Sequence, residues 1–219
     1  MTLLTASDGH QLDSYEADPG GSTAAVVIIQ EIFGVNGHIR FVVDRYASFG
    51  YRAIAPAMFD RAERGVELDY DGEGIARGLE LRQALDRDES VLDVGAAVDH
   101  VSGTGPVAVI GYCYGGSMAW LASSSLPIAA AVGYYGGQVV DFIDKAPRAP
   151  TMLHFGALDQ AIPLDGVHKV AERHPDVVVH IYDEAGHGFN CDARGSYHPE
   201  SAASAEDRTR AFLAEHLGS

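Results

Sequence analysis

Val107-Ala108-Val109-Ile110-Gly111-Tyr112-Cys113-Tyr114-Gly115-Gly116 is the stretch that decides the fold. A short apolar, β-branched run reads as a strand buried on both faces, and this one ends in a glycine-pinched turn with a cysteine at its apex. The pattern small-x-nucleophile-x-glycine turns a strand into a helix so sharply that the middle side chain takes up strained backbone geometry and stands clear of the sheet. The succeeding helix, through Gly116-Ser117-Met118-Ala119-Trp120-Leu121-Ala122, points its first N–H groups back at the apex, where a developing oxyanion would be stabilised.

Outward from this turn the chain alternates short apolar runs with longer segments of helical period, the pattern of an α/β fold with a mostly parallel central sheet. Buried strands are expected at 25–30, 51–55, 107–110, 129–134, 151–155 and 177–182, with helices at 38–49, 73–84, 89–102, 115–124, 163–174 and 201–217. Right-handed crossovers would place those helices on both faces of the sheet. Alternating patterns at 2–6 and 11–16 around Asp8-Gly9 predict an antiparallel N-terminal hairpin. Residues 56–71 are charged and turn-rich without a period and are expected to cap the pocket. Nothing marks a linker, so residues 1–219 read as one domain.

Fifteen Lys and Arg against 31 Asp and Glu give a formal charge of −16, which repels nucleic-acid phosphates and anionic membranes and otherwise serves solubility. Two cysteines, Cys113 and Cys191, make no disulfide framework, and the start of the chain has neither the basic region nor the apolar core of a signal peptide. The expectation is a soluble protein of the reducing cytoplasm, a monomer or small homo-oligomer, with no nucleic-acid or membrane partner.

An open parallel sheet binds ligands beyond the carboxyl ends of its strands. Beyond those ends lie Gln30-Glu31-Ile32-Phe33-Gly34, the cysteine turn, Gly156-Ala157-Leu158-Asp159, and Glu184-Ala185-Gly186-His187-Gly188-Phe189. Nucleophile, acid and histidine thus occur in the order Cys113, Asp159, His187, the order of an α/β-hydrolase. Each has a plainer alternative: a buried small hydrophobe for Cys113, a tight loop around His187, and for Asp159 a cap on the helix starting near Pro163. In the catalytic reading Cys113 attacks an acyl carbon, His187 shuttles the proton and Asp159 orients the imidazole. The backbone N–H groups of Tyr114 and Ile32 would meet the oxyanion. Glu31, directly after a buried strand, is either a loop carboxylate bonded to backbone N–H groups or to Arg40, or an acid that exchanges a proton with the thiol.

Together these residues resemble the dienelactone hydrolase (carboxymethylenebutenolidase) family, a cysteine branch of the α/β-hydrolases. The resemblance is carried by Gln30-Glu31-Ile32-Phe33-Gly34-Val35-Asn36, by Gly111-Tyr112-Cys113-Tyr114-Gly115-Gly116, by Gly133-Tyr134-Tyr135-Gly136 and by Glu184-Ala185-Gly186-His187. It implies a Cys113-His187-Asp159 triad, with Glu31 resting against the thiol until substrate displaces it. It also implies hydrolysis of an enol-lactone with no metal or organic cofactor. Best-known members hold the substrate carboxylate with two arginines. Here Cys191 takes the place of the one after the histidine, Arg77 is at best a displaced version of the other, and Arg194 is a substitute. Phe33, Arg77, Tyr134 and Arg194 are the candidate substrate contacts. A neutral lactone, a simple ester or a thioester stays open as substrate, as do a non-catalytic ligand binder on this scaffold and a thiol-redox role for Cys113 and Cys191. Zinc, Cys-x-x-Cys, Walker and dinucleotide patterns are absent.

Overall fold

The structure, a computed structural model, describes residues 1–218. It divides into two compact units, Met1–Ala108 and a second that starts at Val109, with the boundary inside a strand rather than at a linker.

In the first unit, β1 (Thr2–Thr5) and β2 (Gln11–Ala17) form the expected hairpin, with Thr5 opposite Gln11. β2 runs antiparallel to β4 (Arg52–Pro56), and β4 runs parallel to β3 (Ala25–Ile29), giving the order β1-β2-β4-β3. Every residue of β3 is buried. Each Val or Ile so placed contributes about 1.5–3 kcal/mol of apolar burial. Around these strands lie α1 (Gly37–Ser48), α2 (Gly72–Ala84) and α3 (Arg87–Val101). Asn36, Asp71 and Asp86 cap them, each side chain accepting from N–H groups of the first turn. The Asp86 cap is why α3 starts two residues before the expected position 89.

Residues 56–71 are ordered by non-periodic hydrogen bonds from side chain and backbone alike, which leave no periodic trace in the sequence. Met58–Arg61 make a 3₁₀ turn with Met58, Phe59 and Asp60 buried. The Asp60 carboxylate accepts from Asp13 N at 2.8 Å and Gly65 N at 3.4 Å, and Leu68 N donates to Phe33 O at 2.9 Å. Gly34, at φ +80°, lies so close to this segment that a Cβ would sit 1.9 Å from Val66 O. Beside it, half-buried Arg61 packs against buried Asp93, with Nε and Nη2 at 2.7 and 2.8 Å from the two carboxylate oxygens, and Nη1 reaches Asp8 at 2.9 Å. One guanidinium therefore joins the hairpin turn, the 3₁₀ turn and α3.

The second unit takes in β5 (Val107–Tyr112) from Val109 onward and then β6 (Ala130–Tyr134), β7 (Thr151–Gly156) and β8 (Val178–Tyr182), ordered in sequence. β6–β7 and β7–β8 pair in parallel. α4 (Tyr114–Ser125) packs on β6, α6 (Pro199–Leu217) on β6 and β7, and α5 (Leu164–Arg173) comes after β7. α4 approaches the end of β6 at Gly116, where a Cβ would lie 2.5 Å from Tyr134 O. Trp120 on α4 is wholly buried and its indole N–H donates to Phe142 O at 3.1 Å.

Two expectations change here. The run at 177–182 does form a strand, but β8 is the last in the order and only Tyr182 is buried, because an edge strand has a neighbour on one side alone. α6 begins at Pro199 rather than 201: proline occupies the first turn, where its missing N–H costs nothing, and the His198 ring accepts from Ser201 N at 3.3 Å.

The Arg61 cluster makes a prediction. Arg61→Met leaves the buried Asp93 carboxylate uncompensated and is expected to cost about 3–5 kcal/mol in urea unfolding, with much of the loss recovered by Asp93→Leu in the same chain. A single variant of unchanged stability would show that the cluster holds nothing together.

Candidate active site

β5 delivers Cys113 into the turn at φ 54° and ψ −112°, one of two non-glycine residues with positive φ among the described residues. For a side chain with a Cβ this conformation costs about 1–3 kcal/mol and persists only where its surroundings enforce it. They do so from both sides. Cys113 N donates to Tyr134 O at 2.9 Å, and Cys113 O accepts from Gly116 N at 3.0 Å and Ser117 N at 3.4 Å, making Cys113 the N-cap of α4. Its thiol makes no capping bond and is directed to His187.

His187 lies in the loop after β8, its side chain about three-quarters buried. Nε2 is 3.2 Å from Cys113 Sγ, and Nδ1 is 2.7 Å from Asp159 Oδ2. The ring of Tyr135, the second strained residue at φ 39°, meets the imidazole edge-on at a centroid distance of 5.2 Å. Asp159 comes after β7 and is buried. Its other oxygen, Oδ1, accepts from Ala161 N at 2.9 Å. The N-cap of α5 is Pro163, with no side-chain bond, so Asp159 does not serve as the helix cap. Leu158 N donates to Ala185 O at 2.9 Å, fixing the acid's loop against the histidine's.

Burial opposes a charged imidazole at His187. The hydrogen bonds to Asp159 and Cys113, together with the negative charge those groups bring, outweigh it and raise the pKa to about 10. The imidazole is therefore held in its charged form near neutral pH.

The remaining candidates divide between the units. Glu31, Ile32 and Phe33 lie in the loop after β3, all buried; Ile32 O sits where a Cβ on Gly78 would come within 2.0 Å, and the Phe33 ring packs on Tyr70 at 4.4 Å. Arg40, the sequence's alternative partner for Glu31, is instead paired with Glu67 at 2.7 Å and donates to Val35 O. Arg77 is engaged by Glu80 at 2.6 Å and by Glu63 on an exposed face. Tyr134 does not turn its side chain to the apex: the hydroxyl points the other way, 2.6 Å from Thr209 Oγ1 and 3.2 Å from Ala205 O on α6. Its carbonyl, not its ring, is what meets the cysteine turn. Tyr114 opens α4 and is buried. Cys191 is fully buried, its N–H given to Gly188 O at 3.0 Å. Arg194 lies over Gly188, next to the histidine: a Cβ on Gly188 would be 2.5 Å from the guanidinium.

Sequence reasoning assigns no role to Tyr135 or His154. The Tyr134-Tyr135-Gly136-Gly137 run after a buried strand is the available signal for the first; a lone histidine in an apolar strand gives none for the second. Among the described residues, no group of three or more His, Cys, Asp or Glu is placed to hold a metal ion, and no helix is long and apolar enough to cross a membrane.

A strained cysteine between a strand and a helix, with acid and histidine on later loops, is the design of an α/β-hydrolase. A solved protein of Klebsiella pneumoniae assigned as a dienelactone hydrolase superposes with a TM-score of 0.85 at 29% identity, covering 98% of this chain and 99% of its own. The carboxymethylenebutenolidase of Pseudomonas putida is 34% identical over 222 residues, 96% of this chain and 94% of that protein. A Synechocystis protein assigned the same activity is 32% identical over 240 residues, 99% of this chain and 97% of its own. The dienelactone hydrolase family profile matches residues 12–217. The chain belongs to the dienelactone hydrolase family, and it is a hydrolase of ester or lactone bonds.

The imidazole carries a titration prediction. In NMR the His187 ring is expected to titrate near 10, and in Asp159→Asn to move back toward the ordinary value near 6.5. Because the folded pKa lies above the unfolded one, His187 contributes stability that is complete below about 6.5 and is lost as pH rises through about 10. Identical titrations in the two proteins would remove Asp159 as the partner.

Proposed function

We propose that the protein hydrolyses small activated lactones, most favourably enol-lactones, through an acyl-enzyme on Cys113. The supporting observation is the unbroken contact from Asp159 Oδ2 through His187 to Cys113 Sγ, at 2.7 and 3.2 Å. The thiolate attacks the acyl carbon, and the oxyanion is met by Tyr114 N–H at the start of α4. The ring C–O bond breaks, the leaving oxygen takes the proton from His187 Nε2, and a thioester remains. Water then attacks, gives its proton to His187, and the thiolate departs. Asp159 keeps the ring oriented and its charge compensated throughout.

The choice of nucleophile narrows the substrate. A tetrahedral intermediate expels its more stable anion, and a thiolate is more stable than an alkoxide. With a plain alkyl ester, expulsion of Cys113 competes with acyl transfer until His187 protonates the leaving oxygen; with an enolate leaving group, as in an enol-lactone, acyl transfer is the favoured direction. Arg194, whose guanidinium lies over the residue after His187, is the cation this reading assigns to a substrate carboxylate. The second oxyanion donor, Ile32 N–H, and the proton-exchanging role of Glu31 belong to the same reading on the strength of their sequence motif. A general esterase or thioesterase acting on neutral substrates is the alternative.

A panel of enol-lactones, aryl esters and alkyl esters, with and without a carboxylate, tests this. Turnover is expected to fall steeply from enol and aryl to alkyl leaving groups, and Cys113→Ala and His187→Ala are expected to lose at least about a thousandfold. Mass spectrometry should find the acyl adduct on Cys113. Arg194→Met should raise KM for carboxylate-bearing lactones only; an equal effect on neutral esters favours the alternative. Undiminished turnover in Cys113→Ala ends the mechanism. For Glu31, Glu31→Gln is expected to change the rate of Cys113 alkylation, and a pH profile that overlays the wild type removes it from the proton path.

A further inference from the structure

A chain of polar side chains lies buried between β6, β7, β8 and α6. His154 and Thr209 are wholly buried and Tyr134 nearly so. His154 Nδ1 is 2.9 Å from Tyr182 Oη, and its Nε2 is 3.1 Å from Thr209 Oγ1. Thr209 Oγ1 is 2.6 Å from Tyr134 Oη, which is 3.2 Å from Ala205 O. The Tyr134 ring is stacked between Tyr112 at 4.8 Å and His154 at 4.5 Å.

Donor and acceptor counting gives this chain a direction. Ala205 O can only accept, so Tyr134 spends its proton there, and Thr209 must then donate to Tyr134. Thr209 in turn accepts from Nε2–H of His154, whose bare Nδ1 accepts from Tyr182. Every proton is used once and the histidine is fixed as the neutral Nε2–H tautomer. Burial, together with the charge of Arg208 and the neighbouring His180, holds His154 well below the usual imidazole value, consistent with that state.

Both strained residues of the candidate site hang on the two members of this chain that lie in β6 and β7. Cys113 N donates to the carbonyl of Tyr134 at 2.9 Å, and Tyr135 N donates to the carbonyl of His154 at 2.7 Å. Tyr135 is the ring that abuts His187. Phe, Leu and Val could fill the same volume without the cost of burying four polar groups, but would not fix one geometry. We infer that Thr209 and His154 are positioning residues: α6, through the one-way chain Tyr182, His154, Thr209, Tyr134, sets the ends of β6 and β7 and thereby holds both the cysteine turn and the imidazole in reacting geometry. The inference rests on the reading of Cys113 as nucleophile.

The tautomer is measured first, in the unaltered protein, by ¹⁵N–¹H NMR of His154. A proton on Nε2 is expected; a proton on Nδ1 reverses the chain and overturns it. Thr209→Val then keeps the shape and removes the hydroxyl. Its kcat is expected to fall about ten- to a hundredfold with KM within about twofold, and Thr209→Ser to restore most of the loss. A Val variant that loses thermal stability but keeps kcat within about twofold of wild type reduces the chain to core filling and overturns the inference. The rate of Cys113 alkylation in Thr209→Val, expected to shift with kcat, reads displacement of the turn independently of turnover. Retained activity in Cys113→Ala would defeat the nucleophile reading alone, while an alkylation rate equal to wild type in Thr209→Val would defeat the positioning role alone.

Discussion

One backbone hydrogen bond, from Cys113 N to the carbonyl of Tyr134, is what the geometry of the candidate site in the second unit depends on. It holds a non-glycine residue at φ 54°, a conformation the cysteine would leave if released. The same geometry turns Cys113 O into the first acceptor of α4 and leaves the thiol for His187. The close approach that makes the bond reachable depends on Gly116 lacking a side chain. Strain, helix start and thiol direction are therefore aspects of a single constraint.

Electrostatics complete what the backbone begins. An imidazole as buried as that of His187 would ordinarily resist charge. Placed between Asp159 and Cys113, the ring gains more than burial removes. At His154 burial works unopposed and, with the charges of His180 and Arg208, holds that ring neutral. The second unit thus contains one imidazole driven toward charge and one held away from it, separated by the Tyr134-Tyr135 pair.

Much of this is legible in the sequence because it rests on local pattern. Strand-turn-helix at Gly111 to Gly116 is a contiguous signal, and the order of Cys113, Asp159 and His187 at strand ends reflects how an open sheet presents loops. The features that escape have no local signature. Asp60 finds its partners at Asp13 and Gly65, so the order of residues 56–71 cannot be seen from their composition. The run leading to Tyr182 is as apolar as a central strand, and only its place at the end of the sheet exposes it. Thr209 reads as a filler position of an amphipathic helix until the fold brings it to His154. Tyr134 stands out in the sequence for its ring, whereas its carbonyl does the holding.

The contact between Gly188 and Arg194 couples two positions of the loop. Gly188 stands at φ +77° directly after His187, and the guanidinium of Arg194 occupies the space a Cβ would need. Any other residue at 188 would disturb the backbone that carries the imidazole and expel the neighbouring cation in one step. A change at position 188 therefore reaches His187 and Arg194 together, whereas a change at Arg194 leaves the glycine backbone beneath it as it is.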